Sequence, residues 1–505
     1  MALPSVLYES AVYSADSPHF KRKRVCKMEH LNISVLEKYP AVDEAVVNEL
    51  LAKEIAANDL KIVVLDDDPT GVQTVHDISV YTDWSRESIQ SGFEEKGKLF
   101  YVLTNSRGFT REQTTAAHKE IANVVADVAK SLGRDYVIIS RSDSTLRGHY
   151  PLETSLLRDE MAKCSGIVTD GEILCPFFKE GGRYTIDNVH YVRYGDELVP
   201  AGETEFAKDK TFGYTKSSIP EYIEEKTEGA YKASDVVCIS LEDLRSQNYD
   251  KIEAQLEAVE NFGKIVVNAI DYVDVKVFCV ALYRAMAKGK HFMFRTAAAL
   301  VKCIGGISDK PLLTRSEMVK DAESNTNGGI VVVGSHTNKT TAQLKQLLTV
   351  SGTQGIEFNS NLVLDGDEAF EAEIDRVVAE SESLIKQGIT PVCYTNRKLL
   401  TVDGDTKEAA LVRSVKISYG VQSLVGRLHI VPAFVIAKGG ITSSDVGTKA
   451  LAVKRANVLG QIKPGIPVWQ TGAESKFPDI PYVIFPGNVG EESTLKEAVE
   501  ILQGK

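Results

Sequence analysis

At 505 residues the chain is too long for one ordinary hydrophobic core, and roughly two to four domains are expected. Its composition, 43% hydrophobic and 25% charged, is that of a folded globular protein rather than a disordered one. The formal net charge of -12 argues against a nucleic-acid binder, so an anionic ligand must be held by local arginines or backbone N–H groups.

The seven cysteines, Cys26, Cys164, Cys175, Cys238, Cys279, Cys303 and Cys393, form no C-x-x-C pair and sit mostly in apolar runs. They read as reduced, largely buried thiols of a cytoplasmic protein, not as a disulfide framework or a zinc site. No apolar stretch approaches the roughly 20 residues needed to span a bilayer. The opening residues lack the charged start and apolar core of a secretory signal. Residues up to about Met28, with the basic run Lys21-Arg22-Lys23-Arg24, read as a solvated tail whose removal should expose no core.

Residues 41–57 place Val42, Val46, Val47, Leu50, Leu51 and Ile55 on one helical stripe. KIVVLD (61–66) is a short β-branched run suited to a buried parallel strand. Strands ISVYTD and KLFYVLTN follow, then a long helix through Ala117, Ile121, Val124, Val125 and Val128, then the strand DYVIIS (135–140). Such alternation predicts an α/β fold with a mainly parallel sheet, and ligands collect beyond the carboxyl ends of its strands. Residues 171–230 are rich in Gly, Tyr, Thr and charge, and read as loops and short strands laid over the sheet. A further α/β stretch runs from about 235 to 305, with strands at VVCISL and KIVVNAID. Residues 307–328 are polar and aperiodic, a linker. The pattern then restarts with GIVVVGS, a helix through Leu344, Leu347 and Leu348, and the strands of TPVCYT, AFVIAKGG and YVIFPGN before a final helix. The expected organisation is an extension with a helix over 1–60, α/β domains over 61–306 and 329–505, and the linker over 307–328.

The site candidates lie where these strands end. Asp66-Asp67-Asp68-Pro69-Thr70-Gly71 crowds three carboxylates at a turn, which is unfavourable unless they bind a cation or a hydroxyl. Ser140-Arg141-Ser142-Asp143-Ser144-Thr145-Leu146-Arg147-Gly148-His149 offers two arginines, several hydroxyls and an aspartate. That set suits a ligand with both a carboxylate and hydroxyls, because arginine forks onto a carboxylate. Thr104-Asn105-Ser106-Arg107-Gly108 is a third loop at the same level, with Asn105 and Arg107 in reach. Glu180-Gly181-Gly182-Arg183-Tyr184-Thr185 carries a further arginine on a loop that could serve as a lid. In the second half Gly334-Ser335-His336-Thr337, Lys438-Gly439-Gly440-Ile441-Thr442-Ser443-Ser444-Asp445 and Pro486-Gly487-Asn488-Val489-Gly490 each join a strand to a helix start. Together they favour a phosphate site of backbone N–H groups. There is no G-x-x-x-x-G-K-[ST] and no opening G-x-G-x-x-G, which speaks against a P-loop enzyme and weakens a dinucleotide reading.

LDDDPTGVQT (65–74), SRSDSTLRGHYPLE (140–153), GRYTIDNVHYV (182–192) and PAGETEFAKDKTFGY (200–214) resemble the amino-terminal domain of the four-carbon acid sugar kinase family. GSHTNKTTAQL (334–344), KGGITSSDVGTKAL (438–451) and FPGNVG (485–490) resemble its nucleotide-binding domain. The resemblance spans about residues 61 to 503. It departs at Ile441, where bacterial members often carry an acidic residue, and in the first sixty residues, which extend beyond the usual start. It implies an ATP-dependent kinase acting on threonate, erythronate or a 3-oxo-tetronate, with Mg²⁺ bridging the phosphates. Carried over by position, Asp67, Asp68, Arg141, Asp143, Ser144 and Arg147 would surround the sugar acid. Ser335, Gly439, Gly440, Ile441, Thr442 and Gly487 would contact ATP. The expected base is Asp67 or Asp68, with Asp445 as competitor. The expected partners are the sugar acid and ATP, with neither nucleic acid nor membrane. A dehydrogenase of similar acids and a non-catalytic sensor are the rival readings.

Overall fold

Short apolar runs, most of them buried along their whole length, form the strands of both halves, and in this computed structural model they join into a single sheet. The structure describes residues 28–320, 324–398, 400–487 and 489–505; the tail expected before Met28, Cys26 included, and Asn488 lie outside the described residues. Among the described residues the sheet has fifteen strands. Through the first half its order is Val237–Ile239, Gly263–Val267, Gly171–Cys175, Phe292–Thr296, Tyr136–Arg141, Lys61–Asp66, Leu99–Leu103 and Ile78–Tyr81, all parallel. It continues through Arg455–Lys463, Ile466–Thr471, Pro481–Phe485, Val435–Lys438, Ile330–Val333, Thr390–Thr395 and Thr353–Phe358. The α/β character and the two-part organisation stand; the difference is that the halves share one sheet.

The halves meet where Ile78–Tyr81 pairs antiparallel with Arg455–Val458, Tyr81 facing Arg455 and Ile78 facing Val458. Two more antiparallel steps follow, to Ile466–Thr471 and then Pro481–Phe485, before parallel pairing resumes. Three reversals leave the parallel strands of the two halves pointing in opposite directions. Register shifts at Val458/Gly460 and Gln461/Lys463 mark irregularities in the junction strand, the kind of feature that bends a strand and strengthens its twist.

Helices cover both faces, as strands hydrophobic on both sides require. Tyr272–Ala287 is buried almost all round, with Val273, Val275, Val277, Phe278, Val280 and Leu282 at 3% exposure or less. Glu44–Ala56 packs on it through Val47 and Leu51, and Arg284 pairs with Glu54 at 2.8 Å. Val46, expected on that stripe, is exposed. Residues 171–230 contribute one strand to the main sheet and then Arg183–Ile186, Val189–Tyr194 and Glu197–Pro200 of a separate antiparallel sheet, which Leu31–Asn32 completes by pairing with Glu197–Leu198. The stretch expected as a linker is packed: Leu313, Met318 and Val319 are buried, and the Leu313 N–H donates to the Gln461 carbonyl at 2.8 Å. Cys175, Cys279, Cys303 and Cys393 are buried and Cys164 is exposed; the described cysteines are free thiols. Among the described residues no helix is long and apolar enough to cross a membrane.

Candidate functional site

In the first half the register fixes the site. Asp66 lies opposite both Leu103 and Arg141, and Arg141 opposite Thr296, so the loops after these strands leave the sheet at one level. Arg107 forks onto Asp67 (Nη2 to Oδ1 2.7 Å, Nε to Oδ2 3.1 Å) and reaches Asp68 Oδ2 with Nη1 at 3.1 Å. Arg141 is ion-paired with Asp66, lies 3.3 Å from Asp67 Oδ1, and donates to the Asp68 carbonyl at 2.6 Å. Gly71 is what lets that guanidinium lie flat, since a Cβ there would run into it. The fork that sequence reasoning assigned to a substrate carboxylate is thus occupied by the chain's own aspartates. Burial pushes the Asp67 carboxyl up to about 7, against the opposing pull of Arg107.

The 141–150 loop is held from below and above. From below, Arg295 of Phe292–Thr296 donates to Ser142 Oγ at 2.8 Å and to the Arg147 carbonyl at 2.9 Å, with buried Glu153 at 3.8 Å. From above, His190 of the antiparallel sheet donates to the Ser144 carbonyl at 2.7 Å. Within the loop Arg147 Nε bonds Asp143 Oδ2 at 2.7 Å, and Thr145 donates to the same oxygen. Burial would raise the Asp143 carboxyl, but Arg147 and Arg107 win and hold it far below the usual carboxylate range. Asn105 adopts a left-handed conformation, φ 56°, and its side chain makes no hydrogen bond among the described residues. His149 is tied to the Phe109 carbonyl at 3.0 Å and set edge-on against Phe212, a packing role.

In the second half three adjacent parallel strands end level, Val333 opposite Lys438 and Lys438 opposite Phe485. Their turns converge. Gly439, at φ 120° and ψ 145°, lies where only glycine is comfortable, and a Cβ there would sit 3.1 Å from Ser335 Cβ. Gly334 abuts the Thr442 hydroxyl, and Gly487 faces Ser335 Oγ. Thr340 Oγ1 donates to Ser335 Oγ at 3.1 Å, and Arg397 Nη2 to the Ser335 carbonyl at 2.6 Å. Beneath the turns the fully buried Lys438 ammonium donates to the carbonyls of Pro486 (2.5 Å) and Gly487 (3.3 Å); burial pushes it down to about 7. Ser335, Gly439, Gly440, Thr442 and Gly487 are therefore neighbours. Ile441 belongs to the same turn by its backbone, but its side chain is 73% exposed. Asp445 accepts from Ser418 at 2.5 Å and pairs with Lys449 at 2.7 Å.

The two clusters meet. The segment after Asp66 crosses to the other half, where Gln73 Nε2 donates to the Gly465 carbonyl at 2.9 Å. Asp68 Oδ2 lies against Gly440, 3.2 Å from where a Cβ would stand. Sequence reasoning missed Arg295, whose signal was a basic residue at the end of an apolar strand; Lys438 and His190 lay within quoted motifs but were given no role of their own. Arg183, expected on a loop, begins a strand and is buried.

The fold sets converging glycine turns in one half against a carboxylate–arginine crest in the other. The model of a sugar-binding N-terminal domain matches residues 62–304, and that of a nucleotide-binding C-terminal domain matches residues 330–495. The chain belongs to the family with this pair of domains, the architecture of the four-carbon acid sugar kinases. A Haemophilus influenzae protein of the DUF1537 family has a similar structure, with TM-score 0.56 and 18% identity over 88% of this chain and 99% of that one. So does a Salmonella typhimurium LT2 protein provisionally called a tRNA synthase, with TM-score 0.62 and 16% identity over 87% and 98%. At these identities the likeness is one of fold. No curated protein matches the chain.

Proposed function

We propose that the chain is an ATP-dependent kinase that phosphorylates a hydroxyl of a four-carbon sugar acid of the threonate, erythronate or 3-oxo-tetronate type, in the catabolism of such acids. The observation that carries this reading is the contact of Asp68 with Gly440, which sets a carboxylate of the acid half at the mouth of the anion cradle. Phosphoryl transfer asks for little else: an in-line approach, donors on the phosphates and a group to take the hydroxyl proton.

The turns at Gly334–Ser335, Gly440–Thr442 and Gly487 would hold the ATP phosphates by backbone N–H groups, with Gly439, whose own N–H donates to the Phe485 carbonyl at 2.9 Å, shaping the turn. The acid would lie on the crest with its hydroxyl toward Asp68. Asp68 and the Asp67 behind it are the candidates to take the proton; Asp445, engaged by Ser418 and Lys449, is the weaker one. Mg²⁺ would supply charge neutralisation on the phosphates. No group of three or more His, Cys, Asp or Glu with metal-binding geometry occurs among the described residues. An ion arriving on the nucleotide would be held by the phosphates and by one crest carboxylate, Asp68 where Asp67 takes the proton.

The test is incubation with ATP·Mg²⁺ and a panel of four-carbon acids, following ADP release, alongside NAD and the same acids, following nicotinamide absorbance. Acid-dependent ADP release is expected. Nicotinamide reduction without it would move the chain to the dehydrogenases.

A further inference from the structure

Arginines crowd the acid half, yet nearly all are spoken for. Arg107 is forked onto Asp67 and reaches Asp68, Arg141 is paired through Nη2 with Asp66 and Asp67, and Arg147 is paired through Nε with Asp143. Arg295 is bonded to Ser142 Oγ and the Arg147 carbonyl. Arg183 is different. Its residue is 8% exposed, and its guanidinium makes no hydrogen bond or ion pair among the described residues, with Nε fully enclosed. It lies over the Phe206 ring at 5.6 Å, and Arg147 lies over the same ring at 5.1 Å. Its strand neighbour Thr185 bonds His190, which in turn holds the Ser144 carbonyl, so Arg183 is fixed above the 141–150 loop.

A buried, unpaired guanidinium is costly to the fold unless something else neutralises it. The nearby carboxylates are already claimed, Asp143 by Arg147 and Thr145 and Glu205 by the Tyr194 hydroxyl at 2.5 Å. We propose that Arg183, assisted by Arg147, whose Nη1 otherwise faces only Asp209 at 3.9 Å, is the residue that binds the carboxylate of the substrate, while Arg107 and Arg141 serve to fix the aspartates. This rests on the sugar-acid reading above and names the specificity determinant within it: the ligand is a polyhydroxy monocarboxylate whose acid end lies beside Phe206 and whose hydroxyls point toward Asp68.

The experiment measures binding of threonate, erythronate and their uncharged alcohols threitol and erythritol by calorimetry, without nucleotide, to the full chain and to Arg183→Met and Arg183→Lys. Arg183→Met should weaken acid binding by about tenfold to a hundredfold, the worth of a charge-assisted hydrogen bond. It should leave alcohol and ATP binding unchanged and the melting temperature equal or higher, because an unpaired buried charge has been removed. Arg183→Lys should recover only part of the affinity, since it keeps the charge and loses the fork. Unchanged acid affinity in Arg183→Met would overturn the assignment, as would a lowered melting temperature with equal losses for acid and alcohol. If neither acid binds the unaltered chain, the assignment falls as well. Acid binding that depends on Arg183, with no acid-dependent ADP release, would uphold it and sink the kinase reading.

Discussion

Asp67 and Lys438 are the two side chains whose surroundings most change their chemistry. Asp67 is raised by burial from an ordinary 3.8 to about 7, the range in which a carboxylate can accept a proton and return it. If it takes the hydroxyl proton, kcat/KM should fall about tenfold for each pH unit below about 7, and a flat profile between pH 5.5 and 7 would remove it from that role. The stability signature runs the other way. Between about 4 and about 7 the folded chain holds a proton that the unfolded chain has released, so the contribution of this group falls as pH rises through that window. Asp67→Asn should abolish that slope. Lys438 holds the Pro486 and Gly487 carbonyls. Lys438→Met should leave those carbonyls unpaired, loosen the third turn of the cradle and raise the apparent ATP constant by about tenfold, with the acid constant little changed in steady-state kinetics.

At the scale of elements, the cradle depends on three strands ending level and on one backbone conformation. Gly439→Val forces a β-branched residue to φ 120° against Ser335, a cost of about 1–3 kcal/mol. It should abolish ATP binding while acid binding, measured by calorimetry in the folded variant, persists; equal loss of both ligands would mean that the turn supports the whole junction. These strands were legible because buried parallel strands are short apolar runs, and their glycine turns were legible for the same reason. The hairpin of Arg455–Lys463 and Ile466–Thr471 was not, because Asn457, Gln461, Pro464, Gly465 and Pro467 interrupt its apolar positions and its pairing partner lies far away in sequence. Nor does a residue list say which acid claims which arginine. Arg141 and Arg183 look alike in sequence; only register, which sets Asp66 opposite Arg141, separates the committed one from the unpaired one.

At the scale of the molecule, the shared sheet makes the halves one mechanical unit. Domains joined by a linker normally unfold separately. Here separation would break the pairing of Ile78–Tyr81 with Arg455–Val458, expose buried Val72 and Val75, and strip Gln73 of its Gly465 bond. The chain carries one tryptophan in each half, which makes this measurable. Trp84 donates to Glu120 at 3.0 Å in the acid half, and Trp469 is buried against Tyr482 in the nucleotide half. With Trp84→Phe and Trp469→Phe each leaving a single reporter, denaturant midpoints read from the two fluorescence signals should coincide once each is corrected for its own substitution. Saturating ATP should then shift both midpoints together: a ligand at about 100 times its Kd adds about 2.7 kcal/mol to whatever unfolds with its site. A shift confined to the Trp469 reporter would show that the nucleotide half unfolds alone. The antiparallel junction would then be a contact between separate folding units rather than the spine of one.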